Sequence, residues 1–191
     1  MHFVQSEYAR QMLKSKGFDN VFFLSDYLNK YFIENQLLSL NTPKDNIVLY
    51  NPKKGLNFTK SIISHAKDIN FVPIENMKRE DVAKLLSKAK VYIDFGNHPG
   101  KDRLPREAAI SGCCVITGKD GSAKYYEDVP IPDEFKIEAK IENIQSIVDK
   151  IRQCFENYEI NSKKFESYRE KIKNEEKRFI DDAKKIFRAN I

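Results

Sequence analysis

Residues 91–118, VYIDFGNHPGKDRLPREAAISGCCVITG, decide how the fold is read. The two ends, VYIDF and CCVIT, are short, nearly continuous apolar runs bounded by turn residues. That pattern suits strands buried on both faces rather than one-sided amphipathic ones. Between them, residues 105–111 read as a short helix, and Gly112 stands where a helix commonly closes. Strand, helix and strand in so few residues make a parallel βαβ step.

The same alternation extends upstream. NIVLY (46–50) and INFV (69–72) read as strands. Residues 56–67 carry Ile62, Ile63 and Ala66 at helical spacing, and residues 78–89 carry Val82, Leu85, Leu86 and Ala89 on one face. Repeated βα units predict an α/β domain: a Rossmann-like parallel sheet with helices on both faces. Before it, HFVQ, a helix over residues 7–15 and NVFFL form a further βαβ piece, too small to stand alone. After it, Ile144, Val148, Ile151, Phe155 and Tyr158 form one helical stripe. Phe165, Tyr168, Ile172, Phe179, Ala183 and Ile186 mark a long C-terminal helix with a narrow apolar face. The expected organisation is residues 1–40 as a remnant of another domain or linker, 41–160 as the Rossmann-like domain, and 161–191 as the long helix.

Composition narrows the classes. The 191 residues suffice for one buried core. No segment has the apolar length of a membrane span, and the first residues do not resemble a signal peptide. Three cysteines, two of them adjacent in an apolar run, fit buried reduced thiols and a cytoplasmic protein better than a disulfide framework. The net charge is +5, and residues 161–191 hold ten Lys/Arg against six Asp/Glu. Their mixed signs read as a solvated helix face, so no nucleic-acid partner is expected, and membrane association is not indicated.

In a parallel α/β sheet, ligands bind beyond the carboxyl ends of the strands. The loops expected there are NPKKG (51–55), PIEN (73–76), GNHPGKDRLPR (96–106) and GKDGSAK (118–124). They hold seven Lys/Arg against three Asp/Glu, with glycines in three of the four. Helix N-termini, glycines and fixed cations are what a phosphate or diphosphate requires. Taken singly, each residue has a plainer explanation. Lys53 and Lys54 fit a solvated turn, Gly121 and Ser122 fit any turn, and Glu107 suits a helix dipole. His98, before Pro99, reads as a loop former for which the sequence supplies no orienting carboxylate. Their gathering on one rim is the signal. The P-loop, the G-x-G-x-x-G and G-x-S-x-G motifs, zinc-type Cys/His spacing and a D-x-D pair are all missing. A bound diphosphate would be neutralised by the chain itself, with no metal and no further cofactor.

DRLPREAAISGCCVITG resembles the signature of the C-terminal, nucleotide-sugar-binding domain of GT-B glycosyltransferases. In that family a Gly/Pro-containing loop leads into a helix E-A-(A/M)-x-x-G and an apolar strand. The resemblance implies one half of a GT-B fold, with a nucleoside-diphosphate sugar as donor substrate. It puts Glu107 on the ribose hydroxyls and Lys53, Lys54, Gly55, Arg103 and Arg106 at the donor phosphates. PIEN would meet the base, and Gly121 and Ser122 would add donors near the diphosphate or sugar. HFVQSEYARQMLKSKGF resembles the last strand–helix unit of the family's acceptor-binding domain. The implied function is glycosyl transfer to a glycan or related acceptor, as in polysaccharide biosynthesis, in company with a missing N-terminal domain or partner chain. The alternative is a non-catalytic nucleotide-sugar-binding module for regulation or assembly. Many retaining members carry two Glu separated by seven residues, and Pro99 stands where the first would be.

Overall fold

The computed structural model describes residues 1–188; the last three residues of the expected C-terminal helix lie outside the described residues. Six strands lie in two parallel sheets. The smaller pairs β1 (His2–Val4) with β2 (Val21–Phe23), joined through α1 (Glu7–Ser15). The larger holds β3 (Asp45–Tyr50), β4 (Asn70–Pro73), β5 (Ala89–Asp94) and β6 (Cys114–Thr117), in the order β4-β3-β5-β6. The domain is thus Rossmann-like, as the apolar runs predict.

Between β2 and β3 come two short helices, α2 (Lys30–Glu34) and α3 (Gln36–Asn41). The crossovers of the larger sheet are α4 (Leu56–His65), α5 (Arg79–Lys88) and α6 (Arg103–Ile110). The C-terminal part carries α7 (Ile144–Glu156), α8 (Tyr158–Lys163), α9 (Glu166–Lys173) and α10 (Glu175–Arg188). α4 packs with α7 on one face of the sheet, and α5 and α6 cover the other. Val48, Leu49, Val91, Tyr92, Ile93 and residues 114–116 are therefore wholly buried between two helical layers. The three cysteines are buried and free, in keeping with the apolar run that holds two of them.

The C-terminal helix is present. Its apolar stripe divides between α9 and α10, with Asn174 at the break. Phe165 and Tyr168 enter the core, and Phe165 meets Phe135 edge-on at 4.8 Å. α10 turns toward the N-terminal piece, where Tyr27 meets Phe179 and Phe3 meets Phe187. That piece is also held from the sheet domain: Asp128 accepts hydrogen bonds from the Glu7 and Tyr8 amides at the start of α1. At the other end of α6, the half-buried Lys44 ammonium donates to the carbonyls of Leu86 and Ser111. It thus stabilises the last turns of α5 and α6 together.

Candidate functional site

The order β4-β3-β5-β6 creates a switch point. From β3 the chain leaves through α4 toward β4 on one side; after β4 it crosses back to β5 on the other. The loops after β3 and β5 therefore part at their carboxyl ends and leave a crevice. Its floor is backbone against backbone. Gly55 (φ +59°) begins α4, and a Cβ there would lie 2.6 Å from the Phe95 carbonyl oxygen; one on Gly96 would collide with the Lys54 side chain. Neither α4 nor α6 has a side-chain cap, so both open with first-turn N–H groups that their N-cap side chains leave free.

A second clasp closes the crevice. His98 pairs with Gly121 in a parallel bridge, and the Ser122 amide donates to the His98 carbonyl at 2.8 Å. The Ser122 hydroxyl donates to the Gly100 carbonyl at 2.6 Å. Gly121 has φ +61°, and any Cβ there would run into the His98 carbonyl. Sequence reasoning offers Ser122 as a ligand donor; here its amide and hydroxyl protons join the two loops to each other.

The expected cations divide. Lys53 is exposed, its amide held by the Asn51 side chain in a tight turn, and Arg103 is exposed at the first position of α6. Lys54 lies deeper, with Nζ 2.6 Å from Asp102 Oδ2. Arg106 needs correction as a diphosphate ligand. Its side chain is fully buried, donating to Glu175, to both oxygens of Asp26, and to the Lys101 and Asp102 carbonyls. All three guanidinium nitrogens are thus engaged inside the protein, and the side chain has no exposed surface to offer an anion. Lys101 joins the same cluster, reaching Glu175 at 2.8 Å together with Ser25 and the Asp26 carbonyl.

Glu107, one residue beyond Arg106, is the opposite case. Its side chain is partly buried, yet no hydrogen bond or close ion pair from a described residue reaches its carboxylate. Burial pushes the carboxyl above its ordinary value of 4.5, and Arg103, Arg106 and Arg79 pull it only part of the way back.

His98 also departs from the sequence reading, because two carboxylates face it. Its side chain is wholly buried, with Nε2 3.4 Å from Asp94 Oδ1 and Nδ1 3.1 Å from Asp102 Oδ2. Neither ring nitrogen makes a hydrogen bond at these distances. Asp94 itself accepts from the Tyr92 hydroxyl and the Gly96 amide. Burial raises the Asp94 carboxyl, but His98, Gly96 and Tyr92 together more than offset this and hold it below its ordinary value. The spacing of four between Asp94, His98 and Asp102 carries no geometry in a loop, so the sequence could not announce the cluster. No helix among the described residues is long and apolar enough to cross a membrane.

No family model matches the chain. Over 73 residues it is 38% identical to an alpha-1,6-glucosyltransferase of Actinobacillus pleuropneumoniae serotype 7 (strain AP76), covering 38% of this chain and 22% of that protein. Among solved structures, a variant of S. aureus TarM in complex with Fondaparinux, alpha-GlcNAc-glycerol and UDP superposes with a TM-score of 0.64 at 15% identity. That match covers 97% of this chain and 43% of TarM. Anabaena HepE in complex with UDP-glucose gives 0.65 at 12% identity, covering 96% and 62%. A sucrose-phosphate synthase from Thermosynechococcus elongatus gives 0.64 at 15% identity, covering 89% and 52%. The chain thus spans about a fifth of the curated protein it matches and about half of these solved chains. The likeness to GT-B glycosyltransferases, first read from DRLPREAAISGCCVITG, is a likeness of fold as well as of sequence.

Proposed function

We propose that the chain is the donor-binding part of a glycosyltransferase, holding a nucleoside-diphosphate sugar at the carboxyl rim of its larger sheet. Glu107 carries the reading. A partly buried carboxylate without a partner, beside two uncapped helix starts, is suited to accept hydrogen bonds from vicinal hydroxyls of a ribose. Lys53, Lys54 and Arg103 stand on the same rim and would meet the diphosphate, with the amides at the starts of α4 and α6. During transfer these groups would stabilise charge growing on the leaving diphosphate, and no metal is needed for that role. The acceptor, a glycan or related molecule, would meet the donor where a further domain or partner chain faces this rim.

UDP-linked sugars are the first donors to test, because the TarM and HepE structures hold UDP or UDP-glucose. UDP-, GDP- and ADP-glucose titrated by calorimetry should give binding to at least one. Glu107→Ala should weaken it about 100-fold or more, the loss of two hydrogen bonds to a charged acceptor. Failure of every nucleotide to bind the wild-type chain would sink the proposal. Pro99, in place of a carboxylate, favours a second reading, a module that binds the donor without turning it over. The full-length protein would then bind a nucleotide sugar yet neither hydrolyse nor transfer it.

A further inference from the structure

A cavity of about 450 Å3 lies where the N-terminal piece meets the C-terminal helices. Phe23 and Ser25 line it from one side, residues 126–128 from another, and Arg178, Phe179 and Asp182 of α10 from a third. Its size is that of a small-ligand site. None of Lys53, Lys54, Gly55 or Glu107 lines it, so it is distinct from the crevice. Lys101 connects the two places: it lines the cavity, and its neighbour Asp102 holds Lys54.

Most of the buried groups around the cavity are spent on the fold. Glu7 accepts from Arg10 and Gln11, Asp128 from the first two amides of α1, and Glu175 Oε2 from Arg106. The exposed groups are not spent. The Tyr126 hydroxyl, the Glu127 carboxylate and the Ser167 hydroxyl have no hydrogen-bonding partner among the described residues, and Arg178 reaches Asp182 only at 3.9 Å. Deeper in, Glu175 Oε1 lies 2.8 Å from the Lys101 ammonium but accepts no hydrogen bond from a described residue. Phe23, Tyr126 and Phe179 add aromatic surface. Unspent donors and acceptors beside aromatic rings suit a molecule that is apolar on its faces and polar around its edge. A pyranose is such a molecule: its C–H groups can stack on a ring, and its hydroxyls both donate and accept. Charge argues against a nucleotide here. Five carboxylates against three cations line the cavity, the reverse of the basic rim.

We propose that this cavity is a subsite for an uncharged sugar unit of the glycan acceptor. Tyr126 supplies the stacking surface, Glu127 accepts from the sugar hydroxyls, and Arg178 donates to them. The remaining units of the acceptor would run across the loop that carries Lys101, toward the donor. The acceptor role rests on the nucleotide-sugar reading, but the first test needs no nucleotide. Saturation-transfer NMR with maltotriose, isomaltotriose and cellotriose at millimolar concentration should show at least one of them bound to the wild-type chain. Tyr126→Ala should weaken that binding roughly three- to ten-fold, the loss of one stacking surface. Arg178→Ala should weaken it about ten-fold, the loss of a charged donor. Both side chains are exposed, so neither change empties the core. Absence of saturation on every trisaccharide overturns the proposal, and so do signals that both variants leave unchanged. Calorimetry with UDP-glucose separates this site from the crevice: both variants should bind it within about two-fold of wild type, as distant sites do. Loss of UDP-glucose binding in the two variants overturns the assignment, because the cavity would then hold the donor. A wild-type chain that binds a trisaccharide but no nucleotide sinks the nucleotide-sugar reading and the acceptor role with it, while the sugar site stands.

Discussion

Arg106 and Glu107 are neighbours on one short helix, and they belong to two different regions. Behind the helix, Arg106 enters a closed cluster with Asp26, Lys101 and Glu175, in which every guanidinium nitrogen has a partner. Glu107 is only partly buried, within the field of Arg103 and Arg79, and its carboxylate has no hydrogen-bonding partner among the described residues. Both regions look alike in sequence, because both are charged. The contrast teaches that charge alone does not mark a site. A charge whose bonding capacity is spent inside the protein holds the fold, and one whose capacity is unspent is a candidate for binding.

The sharpest way to break this comparison is to open the closed cluster. Glu175→Ala leaves Arg106 and Lys101 facing an empty place and should cost about 3–5 kcal/mol of stability. Urea denaturation checks it. A loss of nucleotide affinity with unchanged stability would instead move Arg106 to the rim.

The clasp between the loops comes next. Gly121→Ala combines a left-handed backbone with a collision on the His98 carbonyl, and should cost roughly 2–3 kcal/mol in the same assay. A neutral result would show that the two loops are not fixed to each other.

Glu107→Gln sharpens the contrast from the other side. Burial raises the Glu107 carboxyl in the folded chain, so the folded state binds that proton more tightly than the unfolded one. The resulting stabilisation is fully present below the ordinary value of 4.5 and is lost as pH rises through the raised one. At neutral pH the Gln variant should therefore melt roughly 2–4 °C higher than wild type while binding UDP-glucose more weakly. The melting difference should vanish below about pH 4. A destabilised Gln variant would mean that Glu107 belongs with Arg106.

The smallest effect is expected at Lys53, which is exposed. Lys53→Ala should leave stability within about 0.5 kcal/mol of wild type. Binding should weaken a few-fold at low salt and less at 0.5 M NaCl, where exposed charges are screened.

The βα alternation was legible because burial on two faces demands apolar strands, and VYIDF and CCVIT can satisfy nothing else. α2 and α3 were not. Five or six residues are too few to show a helical period, and in α3 Leu37 and Leu38 remain exposed, so no apolar face announces that helix. At the site, the helix start before Glu107 and the glycines of the loops could be read, since their roles depend on local backbone. The fate of Arg106 could not. Its partners Asp26 and Glu175 lie 80 and 69 residues away in sequence, and only the folded chain brings them together. His98 fails the same way: Asp94 and Asp102 are close in sequence, but only the bend at Gly96 and the clasp to Gly121 turn all three inward.

The contact between Gly55 and Gly96 also bears on how such a rim can diverge. Where two main chains touch, almost no side chain can be introduced, so the floor is closed to substitution. Divergence of this rim is then left to its exposed positions, such as Asn97, Lys119 and Asp120.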